Sequence, residues 1–124
     1  MTHLDTSFLV RALAAGTPES ARLDAWLGER RPLAVSAPAW AEFMCGPVSA
    51  AAVRVATVVV GEPAPFGARD AVVAADCFNR SGRRRRTLVD CMIAATAINA
   101  DAELATANPA DFERLIPLGL RLAT

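Results

Sequence analysis

Apolar residues are distributed along the chain in two alternating kinds of segment. Four short apolar stretches are predicted strands: one that ends at Asp5, one in residues 32–38, one from Glu103 to Thr106, and one in residues 118–124. The longer segments between them have apolar residues at helical spacing. Short strands that alternate with helices are typical of a parallel sheet covered by helices on both sides, so the pattern predicts an α/β fold.

The helical segments carry recognisable start and stop signals. They are residues 8–16, 17–31, 38–46, 48–60, 68–82 and 87–98, with a further short helix opened by Pro109. Thr6 or Ser7 is the expected cap of the first helix, and Gly16 is its expected end. The β-branched end of segment 48–60 also suits an extended chain, and residues 61–67 are predicted to form a loop or a short strand.

One acidic residue lies inside a strongly apolar helix. In residues 87–98, "TLVDCMIAATAI", Asp90 is followed at helical spacing by Ile93, Ala94, Ala97 and Ile98, so it heads the stripe that this helix should bury. A buried carboxylate that lacks a partner is costly and tends to take up a proton. Asp90 therefore needs a cation, a helix N-terminus or hydrogen-bond donors.

Length and composition indicate one domain, residues 1–124, with a core of its own. The apolar runs are far shorter than the roughly 20 residues that cross a bilayer, and the acidic N-terminal stretch does not resemble a signal peptide. We therefore expect a cytoplasmic protein with no membrane association. The three cysteines form no CxxC pair, which favours reduced thiols over a disulfide framework or a zinc site.

Arginine supplies the whole positive charge of the chain, which contains no lysine and has a formal net charge of zero. Four arginines, Arg83, Arg84, Arg85 and Arg86, are consecutive and lie just before the Asp90 helix. Such a run is often a solvated loop, but arginine also clamps phosphates with two parallel hydrogen bonds. A globally basic nucleic-acid binder is not indicated by the net charge, but the run is a candidate local patch for binding phosphates.

Four carboxylates are expected at one edge of the predicted sheet. Asp5 ends the first strand, Glu42 lies in the helix after the second strand, Asp90 opens its helix, and Asp111 follows the third strand. Four acids placed together repel one another, and their oxygens suit Mg²⁺ or Mn²⁺ better than zinc. A divalent ion is thus the favoured partner of Asp90. Each acid also has an ordinary explanation, since Asp5 and Asp111 could cap helices and Asp90 could interact with a helix dipole.

Four blocks of the sequence resemble the PIN-domain ribonucleases. They are "LDTSFLV", "AWAEF", "TLVDCMIAATAI" and "LATANPADFERL", in the order and spacing of that family, and together they are similar to the VapC-type toxin of a VapBC toxin–antitoxin pair. The resemblance implies a three-layer α/β/α sandwich around a small parallel sheet. It also implies an endoribonuclease that depends on Mg²⁺ or Mn²⁺, forms a homodimer and is inhibited by a small VapB-type antitoxin.

The resemblance also assigns site residues. The acid positions of the family are occupied by Asp5, Glu42 and Asp90, and its supporting hydroxyls by Thr6 and Thr106. At the position where the family often has a further aspartate, this chain has Asn108, which offers a neutral carbonyl ligand. Asp111 could supply the fourth charge instead, so the fourth position stays open between Asn108 and Asp111.

The chemistry expected of such a site is the hydrolysis of a phosphodiester. A divalent ion held by Asp5 and Asp90 would activate water and neutralise the phosphate, while Glu42 orients that water or completes the ligand set. In-line attack should then leave a 5′-phosphate and a 3′-hydroxyl. His3, the single histidine, is expected to be packed or exposed rather than catalytic.

Two alternative functions remain open from the sequence. One is a non-enzymatic module that binds RNA or protein on the same scaffold, with the arginines as its contacts. The other is a structure-selective nuclease that acts on DNA. Nucleotide cofactors are not indicated, because the chain has neither a GxxxxGK nor a GxGxxG loop.

Overall fold

The computed structural model describes residues 1–124. Its strands are β1 (Thr2–Leu4), β2 (Leu33–Ala34), β3 (Glu103–Ala105) and β4 (Arg121–Leu122). Its α-helices are α1 (Thr6–Ala12), α2 (Pro18–Gly28), α3 (Ala37–Cys45), α4 (Ala50–Val60), α5 (Ala68–Arg80) and α6 (Leu88–Asn99). Two 3₁₀ turns, Pro109–Asp111 and Glu113–Leu118, connect β3 to β4.

The four strands form one parallel sheet in the order β2-β1-β3-β4. In this register β1 is central, with His3 opposite both Ala34 and Leu104. The crossover from β1 to β2 and the crossover from β2 to β3 run in opposite directions across the sheet. Right-handed crossovers therefore place α1 and α2 on one face and α5 and α6 on the other. The predicted α/β fold with a small parallel sheet is confirmed.

The core lies on both faces of this sheet. Its largest fully buried side chains include Leu4, Phe8, Leu104, Phe112 and Leu115. Helix α6 is buried on most of its surface, because six of its twelve residues are inaccessible: Cys91, Ile93, Ala94, Ala95, Thr96 and Ala97. The sequence predicted a single buried stripe along this helix, and the buried surface is wider than that stripe. The alanines allow α5 to pack closely along the other side of α6.

The start of the first helix differs from the expectation. Helix α1 begins at Thr6, and Asp5 occupies the N-cap position without a capping side-chain hydrogen bond. The prediction that Thr6 or Ser7 caps this helix was therefore wrong. Both hydroxyls are used in contacts with distant segments, described below, so they do not cap the neighbouring backbone.

Three further segments can be compared with the predictions made from the sequence. The valines at the end of segment 48–60 are helical, since α4 continues to Val60, which packs into the core together with Ala56. Residue Ala64 forms a single parallel bridge with Ser36, so residues 61–67 are mostly loop. The helix opened by Pro109 is a 3₁₀ turn rather than an α-helix.

None of the helices reaches the length and apolarity that a membrane crossing needs. The three cysteines are free thiols, Cys45 exposed and Cys77 and Cys91 buried.

Candidate metal-dependent nuclease site

The strand ends gather the predicted site residues at one edge of the sheet. Asp5 directly follows β1, and its backbone N–H donates to Ala105 O at the end of β3, at 2.8 Å. Thr106 therefore lies beside Asp5, although the two are 101 residues apart in the chain. The carboxyl edge of a parallel sheet is where ligands bind in open α/β folds.

Two hydroxyls hold the Asp5 carboxylate. Ser7 Oγ donates to Asp5 Oδ2 at 2.7 Å, and Thr106 Oγ1 donates to the same oxygen at 2.9 Å. Each hydroxyl also accepts a backbone N–H, Ser7 from Ala107 and Thr106 from Asn108. The two hydroxyl oxygens also lie 3.2 Å apart, so Ser7, Thr106 and Asp5 form one hydrogen-bond network. Asp5 Oδ1 accepts no hydrogen bond from the protein and is left available to a ligand.

Ser7 was not among the predicted site residues. The sequence offered only the "DTS" triplet as a signal, in which Thr6 was assigned a supporting role and Ser7 was considered as a helix cap. The structure gives both hydroxyls a place in the site, Ser7 on Asp5 and Thr6 on a different acid.

Thr6 connects α1 to α3 and thereby positions Glu42. Its hydroxyl oxygen lies 3.0 Å from both Ala39 O and Glu42 Oε1. One proton is shared between the two acceptors, and the exposed Glu42 carboxylate is drawn toward the start of α1. Thr6 and Thr106 thus each contact a carboxylate of the predicted set.

Asp90 lies in the first turn of α6, half-buried and without a side-chain hydrogen bond. Burial, and after it the negative charges of Asp5, Glu42 and Asp111 in decreasing order, together raise the pKa of this carboxyl from 3.8 to about 6. The positive charge of Arg114 opposes the shift. The three other predicted acids therefore lie close enough to Asp90 for their charges to act on it.

The fourth ligand position, which Asn108 or Asp111 could occupy, is the part of the site most exposed to solvent. Asn108 and Asp111 are both exposed, and neither side chain hydrogen-bonds to the protein. Asp111 acts on Asp90 through its charge, whereas Asn108 contributes its backbone N–H to Thr106 at 3.0 Å. The structure thus places Asp111 within the electrostatic reach of Asp90 and Asn108 beside the Asp5 network.

The donor set fits a hard divalent cation. The groups that meet at this edge are carboxylate and amide oxygens, which Mg²⁺ and Mn²⁺ prefer. No three acidic, histidine or cysteine side chains converge closely enough to form a complete ligand cluster in this arrangement. The carboxylates of Asp90 and Asp111 have no hydrogen bonds that fix their rotamers, so side-chain rotation is the movement that would bring them together.

Arg114 is the second residue that the sequence analysis missed. Its Nε and Nη2 atoms are buried without a hydrogen-bond partner, and its charge lowers the pKa of both Asp90 and Cys91. It follows Asp111 by three residues in consecutive 3₁₀ turns, where residues three apart share a side. The spacing in "DFERL" was the available signal.

The four consecutive arginines connect α5 to α6 and are all exposed. Arg83 and Arg86 have positive φ angles of 52° and 65°, a region that costs non-glycine residues roughly 1 kcal/mol each. Arg83 Nε donates to Asn79 Oδ1 at 3.2 Å, and Arg84 O accepts the Thr87 hydroxyl at 2.7 Å. None of the four forms an ion pair with the acids of the site.

His3 is packed rather than placed among the acids. It is 2% exposed, and burial, together with the positive charge of the N-terminus, lowers its pKa, so the imidazole is neutral at pH 7. The protein gives it no hydrogen bond, and Nδ1 is a buried nitrogen without a partner.

The family model of the PIN domain matches residues 3–116 of this chain. The chain therefore belongs to the PIN-domain family. Members of this family are generally nucleases and typically use divalent metals, which supports a hydrolase. A comparison with characterised protein sequences finds no significant match.

Solved structures with the same fold support this assignment. The crystal structure of FitAcB from Neisseria gonorrhoeae is 21% identical, with a TM-score of 0.75 over 100% of this chain and 97% of that chain. VapBC2 from Rickettsia felis, bound to a DNA fragment from their promoter, is 20% identical, with a TM-score of 0.77 over 98% and 96%. FitAB bound to an IR36 DNA fragment is 19% identical, with a TM-score of 0.71 over 99% and 94%. At these identities the likeness establishes the fold alone.

Proposed function

We propose that this PIN-domain protein is a metal-dependent endoribonuclease, the VapC-type toxin of a toxin–antitoxin pair. The observation that carries the proposal is the grouping of four acids at one edge of the sheet. There the negative charges of Asp5, Glu42 and Asp111 all raise the pKa of the half-buried Asp90. Such a grouping is unfavourable in an ordinary structural site and is favourable where a divalent cation binds.

Asp5, Asp90 and Glu42 would hold Mg²⁺ or Mn²⁺, with Asn108 or Asp111 completing the set. An ion bound there would supply charge neutralisation of the phosphate and a water that loses its proton near neutral pH. The hydroxyls of Ser7 and Thr106 keep the Asp5 carboxylate in one orientation. Thr6 keeps Glu42 near the same edge, where it can orient the attacking water or serve as a ligand.

RNA is the proposed substrate. Its internal phosphodiester bonds would be hydrolysed to leave a 5′-phosphate and a 3′-hydroxyl. The site itself is strongly negative, so a polyanion needs positive charge nearby. The exposed residues Arg83, Arg84, Arg85 and Arg86 lie directly before the Asp90 helix. We assign to them the binding of RNA phosphates.

A small VapB-type antitoxin and a second copy of the chain are the proposed protein partners. The support is the resemblance to VapC toxins, together with a fold that is shared with VapBC2 over 98% of this chain. We place the protein in the cytoplasm and treat residues 1–124 as a single PIN domain.

The direct test is the cleavage of one sequence supplied as single-stranded RNA and as DNA. RNA cleavage should require Mg²⁺ or Mn²⁺ and stop on addition of EDTA. Asp5→Asn, purified in parallel, should lose about 10³-fold in rate or more, because the loss of a metal ligand removes several kcal/mol of transition-state stabilisation. RNA binding without cleavage by the native protein would instead indicate a non-enzymatic module, and preferred cleavage of DNA would indicate a DNA nuclease.

The fourth position leads to a second prediction. Asp111→Ala removes a negative charge that acts on Asp90, whereas Asn108→Ala removes a neutral carbonyl. The concentration of Mn²⁺ that gives half-maximal cleavage should therefore rise about tenfold in Asp111→Ala and less in Asn108→Ala. Titration of cleavage with Mn²⁺ measures both. The opposite order would assign the fourth ligand to Asn108.

A further inference from the structure

A separate shallow cavity of about 300 Å³, open to solvent, lies on the α5–α6 face of the sheet. Its polar lining consists of His3, Arg69, Asp70, Thr96 and Asn99. Asn99 ends α6 and Asp90 begins it, so nine residues, or about 13–14 Å along the helix axis, separate this cavity from the acids. The proposed nuclease chemistry uses none of these five side chains.

His3 is the unusual member of the lining. It is 2% exposed, yet neither ring nitrogen hydrogen-bonds to the protein, and Nδ1 is fully shielded from solvent. Buried polar side chains nearly always have a partner. A neutral imidazole offers one N–H donor and one acceptor, so His3 brings two unused hydrogen-bonding groups to this part of the fold.

Asp70 and Asn99 form a fixed wall beside it. Asn99 Nδ2 donates to Asp70 Oδ1 at 2.8 Å, and Gly67 N donates to Asp70 Oδ2 at 2.9 Å. Asn99 Oδ1 and its second N–H have no protein partner. The Thr96 hydroxyl donates to Met92 O at 2.9 Å, and its oxygen remains able to accept a hydrogen bond. The wall therefore presents donors and acceptors side by side in a fixed orientation.

We propose that this cavity binds a nucleobase. A base edge carries adjacent donors and acceptors, and an asparagine amide pairs with such an edge through both of its polar atoms. His3 Nε2, which has no protein partner and is not shielded as Nδ1 is, supplies one further hydrogen-bonding group to the same ligand. The exposed Arg69 lies in the first turn of α5, and its guanidinium suits the 5′-phosphate of a nucleotide. The Gly67 N–H at this helix end is already used by Asp70, so Arg69 is the group assigned to the phosphate.

The base could come from a free nucleotide or from an unpaired residue of RNA. The RNA source rests on the proposed function, since it requires that RNA be bound at the acid site and extend a few nucleotides to the other end of α6. The free-nucleotide source does not depend on any nuclease activity. The two sources call for two separate experiments.

The first experiment titrates the metal-free protein, in EDTA, with the 5′-monophosphates of adenosine, guanosine, cytidine and uridine. Binding is followed by the ¹H–¹⁵N NMR signals of residues around the cavity. At least one nucleotide should bind, and ribose 5-phosphate, which has no base, should bind at least tenfold more weakly. His3→Phe and Asn99→Leu should each weaken nucleotide binding tenfold or more.

Asn79→Leu, the same change on an exposed residue of α5, is the matched control and should bind within twofold of the native protein. Phenylalanine approximates the size of the imidazole and lacks the unpaired nitrogens, so His3→Phe should keep the native NMR spectrum. Asn99→Leu carries the test if His3→Phe does not fold. The proposal is overturned if no nucleotide binds, if ribose 5-phosphate binds equally well, or if the folded variants keep the native affinity, since ordered water then suffices to fill the cavity.

The second experiment measures the binding of RNA to Asp90→Asn protein, which should not cleave it, with a single abasic residue moved along the oligonucleotide. One abasic position should weaken binding tenfold or more, and Asn99→Leu in the same background should abolish that sensitivity. Nucleotide binding without any sensitive RNA position assigns the cavity to free nucleotides. Failure of RNA cleavage in the native protein leaves the first experiment unaffected, so the two proposals fail separately.

Discussion

Replacement of Asp90 by asparagine should abolish RNA cleavage and, at the same time, stabilise the metal-free protein at neutral pH. The loss of cleavage should be about 10³-fold or more, as expected for a lost metal ligand. The gain in stability follows from the pKa of Asp90, which burial and the neighbouring acids raise to about 6. Asparagine resembles the protonated carboxyl and avoids the repulsion.

The pH dependence of the free energy of unfolding shows whether the raised pKa of Asp90 causes this gain in stability. Because the native state binds the Asp90 proton more tightly than the unfolded chain does, this group favours folding most below about pH 4. That contribution is lost as pH rises through about 6. A rise in the pKa of Asp90 from 3.8 to about 6 corresponds to about 3 kcal/mol, which solvent screening at this half-buried site reduces to about 1–2 kcal/mol. Asp90→Asn should therefore equal the native protein near pH 4 and exceed it by that amount above pH 7.

Urea unfolding in EDTA between pH 4 and pH 8 measures the difference. Asp24→Asn, on an exposed acid of α2, is the control and should not change the free energy of unfolding by more than about 0.5 kcal/mol. Mn²⁺ should stabilise the native protein and not Asp90→Asn. A variant that is less stable than the native protein at pH 7 would show that Asp90 has a stabilising partner, and the repulsive acid cluster would then be wrong.

Neutralising part of the arginine run should weaken the binding of RNA and flatten its dependence on salt. Each phosphate contact contributes roughly 0.7 to the slope for single strands. The double change Arg84→Gln and Arg85→Gln should therefore lower the slope by about 1.4 and weaken binding about tenfold or more at 0.1 M salt. These two residues are chosen because Arg83 and Arg86 lie in the left-handed backbone region.

The measurement uses Asp90→Asn protein, so that RNA stays intact, with binding followed at several salt concentrations. The matched control is Arg30→Gln with Arg54→Gln, which removes the same charge from two exposed arginines that form no ion pair. Because Arg30 also has a positive φ angle, of 55°, the single change Arg54→Gln is measured beside it. The control should leave the slope nearly unchanged, and affinity for Mn²⁺ should be the same in both variants. Equal slopes in the two double variants would show that the run faces away from the RNA.

The hydrophobic periodicity of the sequence was sufficient to predict the architecture, because in each segment the spacing of apolar residues agrees with the strand or helix that forms there. Strands and helices alternate with clear caps, so the parallel sheet and the place of Asp5 at the end of its strand followed from the pattern. The errors arose where side chains bond to distant segments. Ser7 was a plausible cap by propensity, but its hydroxyl is used on Asp5, and nothing near it in the sequence shows that Thr106 will be its neighbour.

The electrostatic part of the site was only half accessible from the sequence. The acids were evident from their positions at the end of β1 and in the helices and turn that follow or precede strands, and the pKa of Asp90 agrees with their proximity. The guanidinium of Arg114, by contrast, is placed on the side of Asp111 by two consecutive 3₁₀ turns, and the three-residue spacing in "DFERL" does not by itself reveal those turns. The cavity beside His3 was invisible for the same reason, because its walls come from β1, α5 and α6 together.

The central position of β1 delays the assembly of the site during protein synthesis. Asp5 is made before β3, and its carboxylate is held by Thr106, 101 residues later. At 5–20 residues per second a ribosome takes roughly 5–20 s to cover that distance, and pairing over so long a separation is itself slow. A nascent chain that has not yet produced β3 lacks both the neighbour of β1 and the hydroxyl that orients Asp5. The proposed site therefore stays incomplete until the ribosome has made β3 and Thr106 and both have been released to fold.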